Sequence, residues 1–285
     1  MLVLVLSVPR ERLDMVRVEM LAVGKELLIG RTLNTNAHWL GKRMARLGSM
    51  LKMVTTVDDD LNEISSALKG ALKRSPEFLI VVGGLGPTPD DMTLEAIAAG
   101  LGLGLRQSGA ALKLIREHYE KRGLGPVELT PARRKMARIP VGAEPLLNLA
   151  GTAPGVRVIG GRTAIYCLPG VPVEMRDIFR RSVEPEIKKK TGKLHRKYLT
   201  LKLEGVYESV LAPIIGEELR LHPGSYIKSH PRGIREGVSR IELDIAVVGK
   251  DSRLTDRTAL EIVKEMESAV RKIGGIVWLT IGSGE

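Results

Sequence analysis

From residue 16 to about residue 102, short apolar runs alternate with stretches of helical periodicity. "VRVEMLAV" reads as a strand, and "NTNAHWLGKRMARLG" as an amphipathic helix with Ala37, Leu40, Met44 and Leu47 on one face. "MLKMVTTV" is a second strand. "DLNEISSALKGALKR" is a second helix, opened by an Asp cluster that can cap it. "EFLIVVGG" is a continuously apolar third strand, and "DDMTLEAIAAGLG" a third helix ending at glycine. Strand–helix–strand units at this spacing require right-handed crossovers and a parallel sheet covered on both faces. The pattern predicts an α/β fold, three-layered around a mostly parallel sheet.

Helical segments are expected at about 108–122 and 130–138, followed by Gly/Pro-rich turns that include "LNLAGTAPGV". "VRVIG" and "TAIYCLPG" meet at Gly160-Gly161, the signature of a hairpin. "VPVEMRDIFRRSVEPEIKKK" reads as a helix with Pro172 in its first turn and a break at Pro185. Beyond residue 195 the rhythm changes: strand 198–204, helix 207–220, strands 225–229 and 238–248, helix 253–273 and strand 275–280. That βαββαβ order predicts a second, smaller α+β domain with an antiparallel sheet and two helices on one face. The expected boundaries are an extension over 1–15, a domain over 16–190 and a domain over 195–285, divided in the charged "KKKTGKLHRK" stretch. "MLVLVL" is too short to span a bilayer, and residues 1–14 read as dispensable, with Met15 as the start of the folded chain.

Composition narrows the function. A hydrophobic fraction of 44% and a charged fraction of 27% belong to a globular chain. The net charge of +11 admits an anionic partner, but the charges of both signs are mixed along the chain. Aromatics are only 3%, which argues against stacking platforms and leaves nucleic-acid binding non-specific. The single cysteine, Cys167, lies in an apolar run, excludes an intrachain disulfide and fits a reducing, cytoplasmic setting. One Gln among many Arg and Glu suits a thermophile.

The chemistry converges at the carboxyl ends of the first three strands, one edge of a parallel sheet, where ligands bind. Strand one leads into "GKELLIGRTLNTN", strand two into Asp58–Asp60, and strand three into "GGLGPTPDDMT". Gly83, Gly84 and Gly86 permit close backbone approach, and the following helix start offers free N–H groups, which together make an anion cradle. Asp90 and Asp91 beside such a cradle read either as helix caps or as cation ligands. Several carboxylates next to a phosphate site repel it unless a hard divalent cation lies between. No P-loop lysine follows, no GxGxxG is present, no Ser shows a nucleophile elbow, and no His pair has zinc spacing.

The ordered motifs "GKELLIGRTLNTN", "VDDD", "GGLGPTPDDMT", "NLAGTAPG", "LPGVPVEM" and "GVYES" resemble those of the CinA, or competence/damage-inducible, protein family over residues 16 to 280. The resemblance implies a molybdopterin-binding-like domain followed by a KH-like domain. It implies a metal-dependent nucleotide pyrophosphatase acting on ADP-ribose, with a divalent metal (Mg²⁺, Co²⁺ or Mn²⁺) held by Asp59 and Asp91. Gly83, Gly84, Gly86, Pro87 and Thr88 would form the phosphate loop. Lys25 stands where many members carry Asp or Thr, and reads as a direct phosphate contact. The further domain of bacterial members that deamidates nicotinamide mononucleotide has no counterpart here, and its activity is not carried over.

The expected catalytic set is therefore Asp91, Asp59 and Glu26, with Glu26 and Asp90 both suited to orient water. Asn34 and Asn36 are candidate nucleotide contacts, Asn34 equally an N-cap. Lys228 in "YIKSHPRG" adds a basic turn. Rival readings are a nucleotide- or molybdopterin-binding protein that does not hydrolyse, or one that transfers adenylate, and after these an RNA-binding module. A homodimer is the default assembly.

Overall fold

The computed structural model describes residues 15–121, 128–192 and 194–280. The expected extension over residues 1–14 lies outside the described residues. The chain packs as two units, one spanning Met15–Gly192 and the other running from Lys193.

In chain order the first unit opens with β1 (Arg17–Val23), α1 (Lys25–Leu28), α2 (Thr35–Leu47), β2 (Met50–Val57), α3 (Leu61–Arg74), β3 (Phe78–Val82) and α4 (Thr93–Leu101). It continues with β4 (Leu105–Gln107), α5 (Gly109–Lys121), α6 (Pro131–Lys135), β5 (Arg138–Pro140), β6 (Glu144–Leu146), β7 (Gly155–Gly160) and β8 (Thr163–Leu168). It closes with α7 (Pro172–Ile178), a π-helical turn (Phe179–Val183) and α8 (Glu184–Thr191). The main sheet has the order β2-β1-β3-β8-β7-β6. β2, β1, β3 and β8 pair in parallel, and β7 pairs antiparallel with both β8 and β6, so the sheet is mixed.

Every residue of β3 is buried, because "FLIVV" sits mid-sheet with a helical layer on each face. Leu79 and Val81 pack with Ile64 and Leu68 of α3 on one side. Phe78 and Ile80 pack with Leu40 and Met44 of α2 and with Met175 and Phe179 on the other. This is the three-layer arrangement that the alternating pattern predicts. The caps are local: Asn34 Oδ1 accepts from Ala37 N at 2.9 Å to start α2, and Asp60 Oδ1 accepts from Asn62 N and Glu63 N to start α3.

The structure corrects four expectations. α4 begins at Thr93, with no side-chain cap, so neither Asp90 nor Asp91 caps it. Pro185 does not break the α7–α8 helix. The π turn immediately before it widens the backbone where the ring would meet the carbonyl four residues back. The segment expected to be helical over 130–138 is helical only over Pro131–Lys135, then turns into β5, which pairs with β4. Lys228 belongs to a strand and not to a turn.

The second unit comprises β9 (His195–Glu204), α9 (Glu208–Leu221), β10 (Tyr226–Arg235), β11 (Val238–Gly249), α10 (Ser252–Lys272) and β12 (Ile276–Thr280). Its sheet is antiparallel in the order β10-β11-β9-β12. Alternate residues Leu199, Leu201, Leu203, Ile241, Leu243 and Ile245 form one buried face against Leu211 of α9 and Ile262 and Met266 of α10. No helix among the described residues is long and apolar enough to cross a membrane.

Candidate functional site

The carboxyl ends of all four parallel strands open onto one crevice of about 530 Å³. β1 contributes Gly24 and Glu26, β2 contributes Asp59, and β3 contributes Gly83 through Pro87 with Asp90 and Asp91. β8 contributes Pro169 to Val171 and then Glu174. This is where an open α/β sheet binds ligands, and the volume suits a nucleotide-sized molecule.

The floor of the crevice cannot be built without glycine. Gly83 has φ +114°, and a Cβ there would collide with the Val23 carbonyl oxygen on the neighbouring strand. Its N–H donates to Leu168 O at 3.0 Å, tying the end of β3 to the end of β8. Thr93 Oγ1 donates back to Gly83 O at 2.8 Å, which fixes the loop against the start of α4. Gly86 is needed for a different reason: a Cβ would lie 2.6 Å from Asp91 Oδ2.

Asp91 is held in place. Its Oδ2 accepts from Thr88 N at 2.8 Å and from Thr88 Oγ1 at 2.6 Å. Lys135 Nζ donates to the carbonyl oxygens of Thr88 and Asp91, closing the loop from the α6 side. Asp59 Oδ2 accepts from Lys25 N at 2.9 Å. Burial pushes the Asp59 carboxyl above its ordinary range. The Lys25 amide offsets part of that rise, and the charges of Glu26, Asp58 and Asp90 add to it. Among the described residues, none of the five lining carboxylates (Glu26, Asp59, Asp90, Asp91, Glu174) forms an ion pair, and no three acidic, His or Cys groups are grouped to hold a metal by themselves.

Other candidates fall outside the lining. Lys25 Nζ lies 3.6 Å from Asp58 Oδ2 and is turned to that carboxylate. Thr88 serves Asp91, and Asn34 serves as the α2 cap. Asn36 is buried behind the crevice, where its Nδ2 donates to Gly170 O at 2.7 Å and holds the β8 loop.

Sequence reasoning missed the β8 wall. Asn148 Nδ2 donates to Ala153 O at 2.8 Å and to Glu174 Oε2 at 2.7 Å, while its Oδ1 accepts from Gly151 N at 2.8 Å. One buried amide thus shapes "NLAGTAPG" and joins it to Glu174 of "LPGVPVEM". The motifs were visible; their place was not, because β8 read only as the partner of β7. Tyr119 and Met136, which line the crevice from α5 and from just beyond α6, carried no sequence signal.

The family model described as "Probable molybdopterin binding domain" matches residues 19–189. A protein of Pyrobaculum arsenaticum is 40% identical over 252 residues, covering 87% of this chain and 94% of its own length. One of Aeropyrum pernix is 40% identical over 261 residues, covering 92% and 96%. The crystal structure of the protein CinA, of unknown function, from Thermoplasma acidophilum is 39% identical with a TM-score of 0.55, covering 61% of this chain and 98% of that one. The chain belongs to the molybdopterin-binding domain family. Within it the chain is CinA-like, and the matched span contains every residue that lines the crevice.

Proposed function

We propose that the Met15–Gly192 unit binds a nucleotide through its pyrophosphate and hydrolyses the P–O–P linkage, with ADP-ribose as the substrate to try first. The observation that carries this reading is the meeting, in one crevice, of a glycine-built anion cradle with five carboxylates, none of which forms an ion pair among the described residues. Phosphate and carboxylate together demand a cation. The donor set suits a hard divalent ion held by one or two carboxylates and completed by phosphate oxygens, since no three-residue cage is present among the described residues. Asp59 and Asp91 are the residues that would hold it. When bound, the ion would polarise a phosphoryl oxygen and acidify water.

The protein's own groups do the rest. The backbone amides of Gly84, Leu85 and Gly86 would orient the phosphates and stabilise charge on them. The Thr88 and Lys25 donors fix the Asp91 and Asp59 carboxylates in advance, so little reorganisation is needed. Glu26, which lines the same crevice, would accept a proton from the attacking water.

A second reading is binding without hydrolysis, which the family description itself favours, or adenylyl transfer. One assay separates the two. The protein is incubated with ADP-ribose and with ADP under Mg²⁺, Mn²⁺ or Co²⁺, and AMP release and binding are followed together. Metal-dependent AMP release that stops on chelation supports hydrolysis. Tight binding without any release moves the second reading to first place.

A further inference from the structure

The crevice has two chemically distinct halves, and the carboxylate half leaves the other unexplained. Opposed in character to the five acids are Leu85, Pro87, Tyr119, Met136 and Ala153, all lining the same space. Among the described residues, Tyr119 is the only aromatic ring in that lining. Arg133 Cζ lies over its ring, 4.2 Å from the centroid. Arg133 is itself held, because its Nη1 donates to Glu128 O at 2.8 Å and its backbone N–H donates to Thr130 Oγ1 at 3.4 Å. His118 meets the Tyr119 ring edge-on, with centroids 6.1 Å apart. The hydroxyl of Tyr119 makes no hydrogen bond among the described residues.

We propose that Tyr119, backed by Arg133, is the seat for the planar heteroaromatic ring of the ligand. This rests on the reading of the crevice as a nucleotide site, and it names the part of the ligand that the phosphate cradle does not recognise. A guanidinium stacked on a phenol ring orients that ring and limits its motion. A ligand ring set against such a ring, with Met136 beside it, is held by stacking and apolar burial that do not depend on the base's hydrogen-bonding edge. The seat is therefore tolerant of ring identity, accepting a purine or a pterin that carries a phosphate arm. Selectivity between the two must arise from the rest of the crevice.

Isothermal titration with the intact protein, in Mg²⁺ buffer, tests this with three probes. These are ADP, a pterin diphosphate, and inorganic pyrophosphate, which has the arm but no ring. Tyr119→Ala should weaken ADP binding by roughly 5- to 100-fold, as base–aromatic stacking does when the ring is removed. It should leave pyrophosphate binding within about 2-fold, within the scatter expected for a contact that the arm does not make. Tyr119→Phe should restore ADP affinity, and Arg133→Leu should weaken ADP more than pyrophosphate. The pterin probe shows which ring the site prefers, and a loss in Tyr119→Ala for either ringed probe supports the seat. If ADP and pyrophosphate lose affinity equally, or neither loses any, the proposal is overturned while the nucleotide reading stands. If none of the three probes binds the wild-type protein, the nucleotide reading itself fails. Melting temperatures of the variants separate these outcomes from unfolding.

Discussion

Two sets of buried or half-buried carboxylates in the first unit are treated in opposite ways. Glu19 is buried in β1, and Arg74 at the end of α3 grips it with Nε at 2.9 Å and Nη2 at 2.6 Å. Glu184, equally buried, takes Arg43 at 2.5 Å and Lys188 at 2.7 Å. Burial alone would raise the Glu184 carboxyl, but those two cations outweigh it and hold the carboxyl below its ordinary value. At Asp59, in the crevice, the balance is reversed. Asp59 has only an amide donor and acidic neighbours, and its carboxyl stands above the ordinary range. A chain with 44 Lys and Arg residues has no shortage of cations to place beside an acid. The first set supports the fold; under the proposed function, the second would be completed by a cation that comes with a ligand.

The comparison predicts that the two sets fail differently when altered. Arg74→Met leaves Glu19 buried without its partner, a loss that usually costs about 3–5 kcal/mol. Because the Arg74 side chain is 41% exposed, the low end, about 3 kcal/mol, is expected. A urea titration measures it, and the nucleotide affinity of the folded fraction should be unchanged. A midpoint within error of wild type would show that the pair is ornamental and remove one side of the contrast.

At the crevice the loss should appear in rate and not in stability. Asp91→Asn keeps an oxygen that can accept from Thr88 N and Oγ1, so the loop should persist. Removing the charge should lower metal-dependent AMP release at least about 100-fold, equivalent to about 2.7 kcal/mol of barrier. The melting temperature should barely move, since Asp91 does not cap α4. Full activity in this variant would refute the cation argument. A smaller effect is expected from Gly86→Ala. The added methyl would fall 2.6 Å from Asp91 Oδ2 and displace a carboxylate that Thr88 otherwise fixes. A shift of that kind should reduce turnover roughly 10-fold, less than loss of the charge. Turnover measured at saturating metal checks it.

The same contrast marks what could be read from the chain. The parallel core was legible, because β1 and β3 are apolar runs and α2 and α3 have clear faces and caps in Asn34 and Asp60. The glycine loop and Asp59 were legible because both follow strands. What could not be read was which strand lies beside which. β8 pairs with β3, its residues 86 positions from their partners in sequence, and no periodicity records that neighbour. Glu174 and its Asn148 brace were therefore invisible as site residues although their motifs were in view. The short β4, β5 and β6 strands have three residues each, too few for an alternation to declare itself. That the Thr88 donors run to Asp91 was not legible either, because a hydrogen bond within a loop depends on local backbone and side-chain torsions.

The smallest effect is also the sharpest test of the contrast. Asp59 has an ordinary carboxyl value of 3.8 and a raised one in the fold. Between those two values the folded state holds a proton that the unfolded chain has released. The stability linked to that proton is complete below 3.8 and is lost as pH rises through the folded value. Where Asp59 is charged in both states, the folded state bears the cost of its burial and its acidic neighbours. Asp59→Asn can still accept from Lys25 N and cannot ionise. It should therefore melt slightly above wild type at pH 7, with the gap closing as pH falls toward 4. The stabilisation by added nucleotide and Mg²⁺, large for wild type by linkage, should be much reduced in the variant. Melting curves from pH 3.5 to 7.5, with and without ligand, give both numbers. A variant that melts below wild type at pH 7 would mean that the Asp59 charge is satisfied by the fold itself. Asp59 would then belong with Glu19 and Glu184 and not with the ligand.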